Sequence, residues 1–256
     1  MSLTDELRPV FKKLRLSGLL QTLDLRAEEA ISDNLGYAEF LHRLLQDEVE
    51  RRDSKQLDLR LQRANFEHDR TLEDFDFTFN PSIPKTKVID LATCAFVRKR
   101  ENVLLVGPAG VGKSHIAQAI GHRACRAGHK VLCVGANDMM KQLRAARGSG
   151  TYDRYLLRFT TPDVLVIDDL GLRPLQGDEP LDLYEIIRQR YERGSIVLTS
   201  NRDIDELATL FGDALLASAA MDRLVHHSHV LVIEGDSYRN PPSNRRSRGT
   251  KKKESK

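Results

Sequence analysis

The stretch Asn102 to Ser114 constrains this chain most: an apolar run, Val103 to Val106, breaks into a glycine-rich turn and then resumes as a helical pattern. It predicts a strand, a tight loop and a helix N-terminus in immediate succession. Gly107, Gly110 and Gly112 allow the loop, with Pro108, Ala109 and Val111, to turn its successive N–H groups inward. Together with the positive end of the helix dipole, those groups form a nest for polyphosphate oxygens. Lys113 is expected as a surface cation at the helix start, facing β- and γ-phosphates, and the Ser114 hydroxyl as a ligand for Mg²⁺. ATP with Mg²⁺ is the ligand pair this chemistry fits. A chance loop is the alternative, and the amphipathic set Ile116, Ala117, Ile120 and Ala124 that follows argues against it.

Apolar strand-like runs recur at Val103–Val106, Val131–Val134, Val164–Ile167, Ile196–Thr199 and Val230–Ile233, with helical patterns between them. Continuous apolar runs alternating with helices are the mark of a parallel α/β sheet covered on both faces. The third run ends in Asp168-Asp169. An acid at that strand end is placed to hold the Mg²⁺ shell, which assigns Asp168; Asp169 is then a general base, an orienter of attacking water, or a cap before Gly171. The fourth run ends in Asn201, whose amide is placed to hydrogen-bond a water or the γ-phosphate.

A chain of 256 residues holds one large core, or one core with a small appended domain. From Thr4 to about His68 the pattern is helical: Leu19, Leu20, Leu23, Ala27 and Ala30 follow a Ser17 cap, and Phe40, Leu41, Leu44, Leu45 and Val49 form a second stripe. Residues 1–70 therefore read as a helical partner-binding domain. Residues 71–84 read as a linker docked through Phe75, Phe77 and Phe79, residues 71–239 as the nucleotide domain, and 240–256 as a tail. The net charge of +3 is carried by that tail, with seven basic residues and one acid, so the remainder is net acidic. A tail of this composition is expected to be disordered and suits either a polyanion or simple solubility. Asp5, Glu6 and Arg8 interrupt the N-terminus, and no apolar stretch is long enough to span a bilayer, so no membrane contact and a cytoplasmic location are expected. Cys94, Cys125 and Cys133 are isolated and read as buried free thiols.

Gly107 to Ser114, Asp168-Asp169, Asn201 and Met221-Asp222-Arg223-Leu224 resemble the Walker A, Walker B, sensor and arginine-finger elements of AAA+ ATPases. More narrowly, the chain resembles the initiator and loader branch, with its DnaC-type helicase loaders and IstB-type transposition helpers. The Thr71 to Phe77 connector, Leu198-Thr199-Ser200-Asn201 and the segment Met221 to His229 are similar to the IstB type. The resemblance implies a P-loop AAA+ core with a helical N-terminal domain, ATP hydrolysis, a homo-oligomer on duplex DNA, and a separate transposase as partner. It also implies that Arg223 is an arginine finger reaching a neighbour's γ-phosphate and that Arg239 acts as a nucleotide sensor; Asp222, beside Arg223, is placed to hold it in an extended rotamer. Two departures stand out. Asp169 occupies a position where most of the class carry Glu, which favours slow turnover. The residues after the last run are too few for the usual helical lid, so an absent or vestigial lid is expected.

Between the second and third strands, Lys141, Arg144 and Arg147 recur at helical spacing. They read either as a row facing DNA phosphates or as a solvated helix face. Three readings of function stay open: a transposition helper, a helicase loader, and an ATP-controlled assembly switch with little turnover. A metabolic P-loop kinase is disfavoured by the arginine-finger pattern.

Overall fold

The computed structural model describes residues 3–238, with side chains from Glu6 onward, so Arg239 and the basic tail lie outside the described residues. The chain divides into two compact units, residues 1–59 and 60–256. The division lies inside a helix, between Leu59 and Arg60, ahead of the boundary at residue 70 read from the sequence pattern.

The first unit contains α1 (Leu3–Lys13), α2 (Ser17–Ser32) and the start of α3 (Tyr37–Ala64). Its core is small: Leu19 and Leu23 of α2 meet Leu44 of α3, with Phe11, Leu16 and Phe40 packed around them. Leu41, Leu45 and Val49 of the second stripe are exposed. Ser17 makes no capping bond. The N-terminus of α2 is capped from α3 instead, where the buried Glu48 carboxylate accepts the Gly18 N–H. Gly18 permits this approach, because a Cβ there would lie 2.8 Å from Glu48 Cα. Burial alone would raise the Glu48 carboxyl, but the Gly18 N–H and the Arg52 guanidinium outweigh it and hold it below the ordinary value.

The second unit is an α/β layer fold. After α4 (Lys85–Leu91) and α5 (Ala95–Lys99) it alternates β1 (Asn102–Val106), α6 (Lys113–Arg126), β2 (Val131–Gly135), α7 (Ala136–Gly148), α8 (Tyr152–Thr160), β3 (Val164–Leu170), α9 (Glu179–Arg190), β4 (Ser195–Ser200), α10 (Ile204–Ala208), α11 (Ala214–Val225) and β5 (Ser228–Val232). The five strands pair in parallel in the order β2-β3-β4-β1-β5. Leu104, Leu132, Leu165, Ile167, Ile196 and Leu198 point to one face, into a core shared with α7, α9 and α11. On α6, Ile116, Ala117, Ile120 and Ala124 are fully buried. Burial on both faces is why the strands read as unbroken apolar runs. The three cysteines are buried and free, and burial pushes Cys125 up to about 11 and Cys133 up to about 12.

This topology delivers the ends of β1, β3 and β4 side by side. Parallel strands end at the same edge, and β4 lies between the other two. The glycine loop, the paired acids and Asn201 therefore meet at one edge although up to about ninety residues separate them in sequence.

Candidate nucleotide site

The loop from Gly107 to Gly112 joins β1 to α6. Gly107 sits at φ +141°, where a Cβ would be 2.0 Å from Ile233 O, so no other residue fits there. Gly112, at φ +102°, immediately precedes α6, and a Cβ there would press on the Phe75 ring at 3.0 Å. Both glycines thus answer to close approach as well as to backbone twist.

Lys113 is not the surface cation that the motif alone suggests. It is 4% exposed, and its Nζ donates to Gly107 O at 2.8 Å, Pro108 O at 2.7 Å and Asn201 Oδ1 at 2.6 Å. A buried ammonium must be hydrogen-bonded. The side chain curls back over its own loop and is joined by the amide at the end of β4.

The loop opens on a cavity of about 510 Å³ lined by Ala109 to His115, Asp169 and Asn201. Its other wall comes from the connector, through Arg70, Asp74, Phe75, Phe79, Asn80 and Ile83, and from Tyr238. The connector is pinned there by contacts that its composition hinted at but did not specify. Phe75 packs edge-on against Phe77 at 4.8 Å and His115 at 4.9 Å, the His115 ring bonds Thr71 O at 2.9 Å, and Phe79 meets Tyr238 at 4.7 Å. Asn80 and Ser82 both donate to Glu234 O, and the Tyr238 N–H reaches Gly110 O at 3.0 Å. The cavity is thus walled on one side by apolar and aromatic residues and on the other by the glycine loop.

The two acids at the end of β3 part company. Ile167 pairs with Leu198 and Leu170 with Ser200, so Asp168 and Asp169 together face the single residue Thr199: a β-bulge. Asp169 takes the left-handed conformation, φ +58°, and lines the main cavity. Asp168 accepts the Thr199 hydroxyl and lines a second, smaller cleft with Glu67, Cys133, Asp138 and Gln142. Sequence spacing grouped the acids as one element, and it assigned no role to Thr199.

Arg223 lies on α11 and does not line the main cavity. Its Nη1 donates to Ala219 O at 2.7 Å and its guanidinium sits 5.8 Å from the Tyr184 ring, so Ala219 and Tyr184, not Asp222, hold it. Each member of the cation row on α7 has a carboxylate partner. Arg144 bonds Glu179, Arg147 bonds Asp182 and stacks 4.2 Å over Tyr152, and Lys141 pairs with Asp138 of its own helix. Glu179 and Asp182 are each 2% exposed. Two members of the row therefore pair with buried carboxylates of α9 while their own side chains stay partly exposed.

Sheet order, glycine loop, strand-end acids and strand-end amide together define a P-loop domain of the AAA+ class. The DnaI crystal structure shares the fold, with a TM-score of 0.55 at 24% identity, over 64% of this chain and 91% of that one. Within that class the chain belongs to the family of IstB-like ATP binding proteins, whose family profile matches residues 10–246. It is 39% identical over 234 residues to the ATP-binding protein of insertion sequence IS21 from Pseudomonas aeruginosa, covering 91% of this chain and 88% of that relative. An insertion-sequence ATP-binding protein of Mycobacterium tuberculosis is also 39% identical, over 93% of this chain and 96% of the relative.

Proposed function

We propose that this chain is an ATP-dependent helper of DNA transposition. It binds ATP with Mg²⁺, assembles as a homo-oligomer on duplex DNA in the cytoplasm, and recruits or activates the transposase of its element while hydrolysing ATP slowly. The observation that carries this reading is the junction of Lys113 with Asn201 at the mouth of a cavity walled by the glycine loop. An incoming triphosphate offers Lys113 a stronger, charge-assisted partner than the Gly107 and Pro108 carbonyls. The ammonium then turns to the phosphates, and the Asn201 amide is released toward the γ-phosphate or its attacking water. Relatives named for insertion sequences support the biological setting.

Ser114 at the start of α6 and Asp168 at the end of β3 carry the hard oxygen donors Mg²⁺ prefers, and Asp168, which lines the smaller cleft, would reach the ion through water. When bound, the ion neutralises charge developing on the phosphates. Asp169 acts as base or orienter from the main cavity, and Arg223 of one subunit reaches the nucleotide of the next. The N-terminal helices engage the partner, supported by the exposed Leu41, Leu45 and Val49. The seven basic residues of 240–256 supply positive charge to DNA. An ATP-held switch with little turnover is the second reading, favoured by the short, left-handed Asp169.

The test combines Arg223→Ala with Asp169→Asn. Arg223→Ala should bind ATP as the parent does but lose cooperative assembly on duplex DNA and hydrolysis together. Asp169→Asn should lower hydrolysis by about a hundredfold while DNA-bound oligomers persist longer. ATP-dependent oligomers and parent-rate hydrolysis in Arg223→Ala would refute the subunit arrangement. Undiminished hydrolysis in Asp169→Asn would reduce that residue to a cap.

A further inference from the structure

We infer that Thr199 is a positioning residue that sets both strand-end acids through one hydroxyl. A regular strand turns successive side chains to opposite faces. Here the bulge places two residues against one, and Asp169 takes a left-handed conformation that is strained at a non-glycine position. Such a conformation persists only where the surroundings hold it. The Asp169 N–H donates to Thr199 Oγ1 at 2.8 Å, while the Thr199 hydroxyl proton goes to the Asp168 carboxylate. A hydroxyl has one proton and two lone pairs, so a single side chain serves as acceptor for one acid's backbone and donor to the other's carboxylate. Thr199 is fully buried, which locks its rotamer. A second clamp follows directly, with Ser200 Oγ donating to Leu170 O at 2.7 Å and Arg202 Nε to Gly171 O at 2.7 Å. Strand β4 thereby dictates where the β3 acids point, and the amide of Asn201 stands two residues beyond Thr199 on the same strand end.

This inference rests on the ATP and Mg²⁺ reading above and predicts a specific defect. Valine matches the shape of threonine without the hydroxyl, and serine keeps the hydroxyl without the methyl. The full chain carrying Thr199→Val or Thr199→Ser is assayed with a fluorescent ATP analogue titrated with Mg²⁺, and for turnover. Thr199→Val should bind nucleotide in EDTA as the parent does. Its half-maximal Mg²⁺ concentration should rise, and kcat fall, by about tenfold or more, the loss expected for a hydrogen bond to a charged group, with KM little changed. Thr199→Ser should restore both to within about threefold of the parent. A Thr199→Val protein with parent Mg²⁺ dependence and kcat overturns the inference. So does an equal fall in both variants accompanied by a lower melting temperature, which would mark a packing role. A parent without turnover overturns the hydrolysis reading alone, and the Mg²⁺ titration then decides Thr199.

Discussion

The glycine loop after β1 and the cation row on α7 are both short signals read from spacing, yet they fare differently in three dimensions. The loop's chemistry is carried by its own backbone: three glycines and a helix start make the nest wherever the strand happens to lie. The cation row's chemistry depends on what faces it. Helix α9 brings the buried Glu179 and Asp182 beside it, and Arg144 and Arg147 reach them while 60% and 39% of their own side-chain surfaces stay exposed. Both carboxylates have other donors as well, bidentate Arg173 and the Gln176 N–H on Glu179 and the Tyr152 hydroxyl on Asp182, so the arginines share them and do not alone satisfy them. A motif built from backbone carries its own geometry with it, whereas charged side chains take their partners from whatever packs nearby.

The comparison breaks most decisively at Lys113. Lys113→Ala should lower ATP affinity by about a hundredfold or more, measured calorimetrically, because the ammonium is the only charge that the loop motif itself contributes. A variant binding ATP like the parent would mean that the loop does not hold phosphate. The next effect tests the row. Glu179 is held down to about 2, first by the bidentate Arg173 and against the cost of burial, with Gln176 N–H and Arg144 assisting. A carboxyl depressed in the folded state stabilises the fold above its unfolded value of 4.5, and that contribution disappears as pH falls from 4.5 toward 2. Glu179→Gln should therefore cost about 3 kcal/mol in urea unfolding at pH 7 and flatten the loss of stability between pH 4.5 and 2. A variant as stable as the parent at pH 7 would free Arg144 for another role. The smallest effect separates the members of the row. Lys141, exposed and paired only with Asp138, is the one cation of the three without a buried partner. If it touches a DNA phosphate, Lys141→Ala should lower the slope of log affinity against log salt by about 1. Arg144→Ala, measured alongside, should leave that slope unchanged and lower the melting temperature.

Much of the core was legible for a simple reason: buried parallel strands cannot hide their apolar runs. The fifth strand shows the limit. Its apolar run, Val230 to Ile233, overlaps a strand that spans Ser228–Val232, because pairing with Asn102 recruits the polar Ser228 and leaves Ile233 to bond Val106 O beyond the strand end. Ser17 looked like a helix cap, but Glu48 from another helix supplied the acceptor. Arg190 lies in the last turn of α9. It is 1% exposed, donates to the carbonyls of Phe159, Pro162, Asp163 and Ser195, and is pushed down to about 10 by burial. Nothing in its sequence context distinguishes it from Arg188 two positions earlier, which is exposed and paired with Glu185.

By itself the sequence determined the order of strands and helices, the glycine loop, and the chemical identity of the groups that would meet at the ends of β1, β3 and β4. These follow from local periodicity and from glycine's backbone freedom, which need no knowledge of distant residues. Only the tertiary structure decided that Lys113 is buried against Asn201, that Thr199 divides the two acids between two clefts, and that α9 claims the arginines of α7. Those outcomes depend on which polar groups must share a low-dielectric interior, where every donor and charge needs a partner and the nearest one in space is rarely the nearest one in sequence.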